Sequence, residues 1–408
     1  MTAEYRARSV FASRSFRRYF AGQSLSYIGD GLRILSVPLL AFHLTHSALS
    51  TGAALICEVV PFSLFALVGG SLADRLDRRR LMIGCDAVRF IIMSLFAVGY
   101  TFHALTLPMI YGGLVIMSIC AAGFLGGQSS SLPYLLGQDQ ATKGIAVLIA
   151  AENTSNLITP AIGGALFAYF GPLPALTINA LTYLASQLSL VWIPSLGPDR
   201  VVGMPTLRNL IADVALGYRH LWGDLGMRAQ AFVAFSFNIF GFGGYAILIP
   251  FLKKGFDATD QQVGIFFGIS ALGAIAGASL AARYPDRWPF GRALVIAYVL
   301  DALFFLPVVL VSNIWLAAFF WGTSSALASF EIAQILGFRM RVTPPELVGR
   351  VMGAVRLLVL AGIAPAILFF GWVADHRSPH VAMSISAAGI MVIALVTLCT
   401  PAIRNETR

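Results

Sequence analysis

The sequence predicts an all-α membrane protein, with twelve transmembrane helices arranged as two pseudo-symmetric six-helix bundles. Three observations carry this: a composition too apolar for water, a series of nearly uncharged runs about 20 residues long, and short segments that recur at almost one offset.

Of 408 residues, 58% are hydrophobic and only 12% are charged, with a mean hydropathy of +0.79. Soluble domains carry roughly a quarter of their residues charged, so lipid is the solvent. Lipid offers no partner for unpaired backbone groups, and apolar runs of this length therefore cross it as helices. Such runs fall near 18–43, 48–73, 80–101, 106–128, 141–170, 173–193, 229–252, 261–283, 292–311, 314–338, 348–374 and 380–400.

Basic residues orient these spans. With a cytoplasmic amino terminus, only Lys253, Lys254 and Arg377 fall outside, while Arg33, Arg89 and Arg356 lie within spans and every other Lys and Arg is cytoplasmic. The positive-inside rule therefore places both termini in the cytoplasm. The net charge of +9 is accounted for by this bias and by contact with anionic lipid headgroups, so no nucleic-acid partner is implied. Cys57, Cys85, Cys120 and Cys399 sit in apolar runs without metal-ligand spacing and read as packing residues. The Arg-rich start leads into a full-length span, so no cleavable signal peptide is expected.

One long polar connection, 194–228, contains "PSLGPDRVVGMP" and then an amphipathic stretch, "LRNLIADVALGYRHLW". It separates a first bundle, 1–193, from a second bundle with a short cytoplasmic tail, 229–408. The halves echo each other. "GGSLADR" (Gly69 to Arg75) recurs as "GASLAAR" (Gly277 to Arg283) at an offset of 208, Pro160 pairs with Pro365 at 205, and Lys143 with Arg350 at 207. Parallel repeats of this kind are a transporter signature. One chain supplies both halves, so a monomer suffices.

Several motifs resemble those of the major facilitator superfamily. "GGSLADRLDRRRLM" is similar to its loop motif between the second and third spans, and "TPAIGGAL" (Thr159 to Leu166) to the fifth-span motif of its exporters. "FRRYFAGQSLSYIGD", "DAVR" and "VTPPELVGRVMG" resemble the enterobactin-exporter-like and macrolide-efflux-like branch. Asp77 stands where the loop motif has glycine, Thr159 precedes Pro160 in place of glycine, and the fourth span has no basic residue. The resemblance implies a bacterial cytoplasmic (inner) membrane exporter. It also implies that spans 1, 2, 4, 5, 7, 8, 10 and 11 line a central cavity while 3, 6, 9 and 12 are peripheral.

For the loop motif the resemblance implies gating. Asp74, beside Arg75 and Arg78, would accept from the terminal amides of a facing helix or pair with Arg78 or Arg89, latching the halves on the cytoplasmic side. Gly70 would permit close helix approach. Asp86 and Arg89, three apart, share a helix face and read as a pair tied to that latch. Pro160, Gly163 and Gly164 combine a missing donor with two absent side chains, which is expected to bend the fifth span and seal it.

The embedded charges are the candidate site. Glu58 lies ten residues into its span, roughly 15 Å deep at 1.5 Å per residue and near the bilayer midplane. A charge there costs about 2.5 kcal/mol or more, so it must face the bundle interior, a partner or water. Asp30, Arg33, Glu152, Glu331 and Arg356 share this placement, and with Glu58 they are the expected lining of one polar chamber. Asp301, in a peripheral ninth span, reads as structural. Asp30 and Arg33 share a face and can neutralise each other; Glu58 and Glu331 have no basic residue one turn away and are expected to exchange a proton or meet a cationic group. Tyr27, Gln128, Asn153, Asn156, Asn238 and Gln334 add softer polar groups. Gly241, Gly243 and Gly244 weaken the seventh span, which is expected to flex as an outer gate.

No nucleophile–base pair, phosphate-cradling loop or metal-ligand cluster is present in the sequence, and "GFGGY" lies within a span. An enzyme is therefore not expected, and neither is a cofactor or resident metal. Without a nucleotide-binding domain, uphill transport must draw on an ion gradient. The sequence points to a proton-coupled exporter of an amphipathic small molecule of drug or siderophore type. A lipid or lysolipid flippase, with headgroup contacts at Arg33 or Arg356, is the alternative. "YIGDGLR" also resembles the first-span stretch of ferroportin-like transporters, which would make Asp30 a ligand in a divalent metal exporter, a reading less favoured for want of a histidine–cysteine cluster. A non-transporting receptor or scaffold would make the embedded acids dispensable.

Overall fold

The computed structural model describes residues 10–73, 76–193, 196, 207–283, 289–344 and 347–404, and among these every regular element is a helix. After a single 3-10 turn, Val10–Ala12, come α1 (Arg14–Thr45), α2 (Ala48–Ala73), α3 (Arg78–Thr101), α4 (Leu107–Leu136), α5 (Gln138–Phe170) and α6 (Pro172–Val191). The amphipathic stretch forms α7 (Leu207–Gly223). It is followed by α8 (Leu225–Ala246), α9 (Leu248–Gly255), α10 (Asp260–Arg283), α11 (Phe290–Leu310), α12 (Ile314–Val342), α13 (Val348–His376), α14 (Pro379–Cys399) and α15 (Pro401–Arg404).

Among the described residues, ten helices are long and apolar enough to cross a membrane, or eleven when α8 and α9 count as one bent span. Twelve were expected, and the shortfall is α6. It fills the sixth position but carries Asn179, Thr182, Ser186 and Ser189 on a seam against α1, where Gln23 donates to Ser186 at 3.1 Å. These polar groups, turned toward α1 and bonded partly within α6 itself, lower its apolar content.

The seventh span, expected to be continuous, turns by 45° between α8 and α9. Pro250 explains the position: it has no N–H for the carbonyl of Ala246, four residues back, and its ring crowds that carbonyl. Asp77, the departure from the loop motif, caps α3 by accepting from the Arg80 N–H at 3.2 Å. By contrast, α5 runs through Pro160 without a break.

In the first half α1 packs on α5 and α6, α2 on α4, and α3 on α4 and α6; in the second, α10 and α11 pack on α12, and α8 on α13 and α14. The halves meet along α5–α10 and α2–α13, and α7 lies along α13. At the α5–α10 crossing two glycines face each other, and a Cβ on Gly164 would lie 2.4 Å from Gly264 Cα. Only glycine allows that approach. Gly163 plays the same part against α1, where a Cβ would sit 3.1 Å from the Leu32 carbonyl oxygen.

Polar contacts close the end of the bundle that holds the α1–α2 turn. The Asp375 carboxylate accepts from Ser47 Oγ at 2.6 Å and from the Ala48 and Leu49 amides at 2.7 and 3.0 Å. This is an N-cap of α2 supplied by the opposite half. His43 Nε2 lies 3.0 Å from Asp260 Oδ1, and Lys253 pairs with the same carboxylate. Gln261 donates to the Tyr169 hydroxyl at 2.8 Å.

Gly164→Leu should overpack the α5–α10 crossing and destabilise the protein by roughly 1–3 kcal/mol. Thermal unfolding of the detergent-solubilised protein checks this, and an unchanged melting temperature would contradict the close approach.

Candidate functional site

Between the halves lies a chamber of about 480 Å³, lined by side chains from α1 to α6 together with α8 and α13. Arg33 organises it. From α1 its Nη1 meets Glu58 Oε1 of α2 at 2.7 Å, and its Nη2 meets Asp30 Oδ1 one turn back at 3.5 Å. The Tyr183 hydroxyl of α6 donates to that same Asp30 oxygen at 2.5 Å. One guanidinium thus serves two carboxylates.

The remaining wall continues the pattern. Glu152 and Asn156 of α5 reach the chamber, as do Tyr27 and Gln128, joined by a 2.7 Å hydrogen bond from the amide to the phenol oxygen. Arg356 of α13 enters from the second half with its guanidinium 5.1 Å from the Phe62 ring centroid. Arg89 stacks between the rings of Phe124 and Tyr183, at 5.4 and 5.3 Å, and pairs with the fully buried Asp86 at 3.5 Å. Cation–π contact of this kind compensates a charge removed from water.

The arrangement differs from the sequence reading in four respects. Arg33 is shared across helices, so Glu58 has a basic partner that spacing along its own helix does not reveal. Arg89 and Tyr183 bring the nominally peripheral α3 and α6 into the lining. Asn153 is exposed and Asn156 takes its place, since the helical turn carries residue 153 to the outer face. Glu331 is absent from this chamber.

Glu331 lines a second cavity of about 410 Å³, inside the second half between α8, α11 and α12. There it joins Asp301, the residue that the sequence sets apart as structural, with Asn238 and Ser324 alongside. Ser324 Oγ donates to Asp301 Oδ1. The two cavities adjoin, because Phe242 and Tyr245 line both.

Of the gating residues, Asp74 and Arg75 lie outside the described residues, and Gly70 falls in the last turns of α2. Arg78 donates to the Leu196 carbonyl at 3.3 Å and stacks 5.0 Å from the Tyr134 ring centroid. Arg79 holds the end of α6 by donating to the Leu190 carbonyl at 2.9 Å and to that of Val191. The inter-half contact residues His43, Asp260, Gln261 and Asp375 went unread in the sequence; the signal available was an acid just before the predicted span 261–283 and another just past the predicted span 348–374.

The Arg33 triad generates a quantitative expectation. Arg33→Gln leaves two carboxylates without their counter-charge and should cost on the order of 3 kcal/mol, whereas Arg33→Gln combined with Glu58→Gln should regain a large part of it. A double-mutant cycle read by thermal unfolding checks this, and strict additivity would dissolve the proposed pair.

Comparison with known proteins agrees with this fold. A family model described as Major Facilitator Superfamily matches residues 19–366. The enterobactin exporter EntS of Citrobacter koseri (strain ATCC BAA-895) is 23% identical over 406 residues, covering 94% of this chain and 91% of that protein. EntS of Escherichia coli O1:K1 / APEC is also 23% identical, over 399 residues, with the same coverage. Among solved structures, a bacterial homolog of the human lysosomal transporter Spinster, in an inward-facing and unoccupied conformation, superimposes with a TM-score of 0.75. It is 14% identical, and the match covers 97% of this chain and 98% of that one. A point mutant of the nucleoside transporter NupG gives 0.70 at 15% identity, covering 95% and 99%.

Proposed function

As this chain belongs to the Major Facilitator Superfamily and is a multi-pass membrane transporter, we propose that it is a secondary active exporter of amphipathic small molecules, coupled to protons. The carrying observation is the charged chamber between the halves, shut at the α1–α2 end by contacts that join one half to the other. In this reading both termini are cytoplasmic, so the shut end is the outer one and the chamber serves the cytoplasmic side of the bacterial inner membrane. The chain works as a monomer, with membrane lipids around it.

Transport proceeds by rocking 1–193 against 229–400. Opening outward requires α2 to give up its Asp375 cap and His43 to leave Asp260. The Gly164–Gly264 contact, within two turns of the shut end, would part with it, and the Asp74 latch on the cytoplasmic side would then close. Substrate binds beside Arg33 and Arg356, its apolar part against Phe62 and Tyr245. Protonation of Glu58 would compete with substrate for the chamber or switch the conformational equilibrium, so that a proton moves inward as substrate moves outward. Glu331 is the other candidate carrier.

The curated relatives are named as enterobactin exporters, which favours the siderophore end of the substrate range. Engagement of Arg33 by two carboxylates weighs against a headgroup contact there and leaves the flippase alternative only Arg356. Tyr183 and Arg33 on the same Asp30 oxygen weigh against Asp30 as a metal ligand.

The test uses purified protein in liposomes with an internal pH dye, an imposed gradient and a panel of siderophores, drugs and lysolipids. Substrate-dependent proton movement, abolished in Glu58→Gln or Glu331→Gln, is the expected result. Substrate movement without proton flux, unaltered in both variants, would refute the coupling. Asp375→Ala should favour the outward-open form by about 1 kcal/mol, roughly fivefold in population, which spin-label distances between Leu44 and Asp257 would report as a shift toward longer separations.

A further inference from the structure

The second cavity holds the one pair of embedded carboxyl groups that the transport reading leaves without a counter-charge. Glu331 is 2% exposed and its Oε1 has no hydrogen-bond partner; Asp301 is 1% exposed and, beyond its bond from Ser324, its Oδ2 has none. Among the described residues neither is in an ion pair. The basic group nearest along the chain, Arg339, lies two turns further on α12, with its Nε donating to Gln230 at 2.9 Å. Two buried carboxyl groups must be neutralised, either by protons or by a cation that enters the cavity.

The walls favour one kind of cation. Phe237 and Tyr298 stand edge to face at 5.2 Å, and Phe305 and Trp321 lie 5.3 Å apart, all four lining the same space. Aromatic faces attract cations, most of all weakly hydrated ones that lose little on leaving water. An inorganic ion needs a shell of oxygens at short range, whereas this cavity supplies chiefly rings. Its volume of about 410 Å³ lies in the range of sites for small organic ligands.

We infer that the cavity between α8, α11 and α12 is a binding site for a hydrophobic organic cation, held by the Glu331 and Asp301 carboxylates within a box of aromatic rings. Binding exchanges charge for charge: the cation enters, a carboxyl group ionises, and its proton leaves to solvent. The titratable and charged groups that face this exchange are Asp301 and Tyr298 of α11, Glu331 of α12, Tyr245 of α8 and, beside Tyr298, Arg339 of α12. The site is separate from the chamber around Arg33, and its use in export rests on the transport reading, while binding itself does not.

Tetraphenylphosphonium is the probe, applied by equilibrium dialysis to the full-length protein in detergent at pH 8 and pH 5.5. The expected result is one cation bound per chain, more tightly at pH 8, with a proton released in weakly buffered solution. Glu331→Gln and Asp301→Asn should each weaken binding at least about tenfold, while Glu331→Asp, keeping the charge, retains it and shows the site is folded. Equal binding of tetraphenylborate, the same shape with opposite charge, would overturn the proposal. So would unaltered affinity in both neutral variants, or radioactive sodium bound one per chain and lost in Glu331→Gln. If binding follows expectation but the liposomes show no transport, the exporter reading fails and this site stands.

Discussion

The cost of a charge inside a membrane governs the rest of this structure. Each ionisable side chain placed among the spans must be answered by another group or by water, and the helices are arranged so that most are. Arg33 answers Asp30 and Glu58 together. Arg89 answers Asp86 and is itself cradled by two rings. These pairings join α1 to α2 and to α6, and hold α3 close to α4 and α6, so the same contacts that neutralise charge also define the inner wall of the first half. A chamber with a fixed pattern of opposite charges follows from this compensation.

The closure between the halves obeys the same constraint by different means. At the α1–α2 end, Asp375 on the last turn of α13 satisfies amides at the start of α2. The loop motif resemblance implies the converse at the other end, with Asp74 past the end of α2 answering the start of a facing helix. Duplicated halves make such a correspondence natural, because α2 and α13 run side by side in opposite halves. On that reading one carboxylate per end would cap a helix of the opposite half, a compact device for a molecule that must be shut at either end but not at both. The Gly164–Gly264 crossing adds an apolar close contact at the shut α1–α2 end, one to two turns from the Asp260 and Tyr169 contacts.

Much of the fold was legible in the sequence because membrane spans are set by local composition. Every predicted run is helical, the seventh as the bent pair α8 and α9, and α7 was visible from its amphipathic spacing. Pro250 marks the bend at Ile247 openly enough, although the nearby glycines drew attention first. The site was legible only in part. Embedded acids announce themselves by their cost, so Asp30, Glu58, Glu152 and Glu331 stand out. What they touch depends on the rotation of each helix about its axis. Arg33 reaches Glu58 across a helix boundary, Asn153 turns outward where Asn156 turns in, and Glu331 faces α8 and α11 instead of the first half. No spacing along one helix contains that information.

Asp301 shows how far such rotation can change a residue's meaning. Considered alone, an acid on a peripheral span is a structural group hydrogen-bonded to its neighbour, and Ser324 supplies that bond. Next to Glu331 it becomes half of an uncompensated pair, and the aromatic residues around it cease to be ordinary packing. The wall shared with the first chamber, Phe242 and Tyr245, then acquires a consequence. It sits on α8, directly before the Pro250 bend and beside the closed end, so any rotation of α8 that opens that end must also reshape the partition between the two cavities. Charge state in one and occupancy of the other are thereby joined by a single helix, without requiring any side chain to touch both ligands.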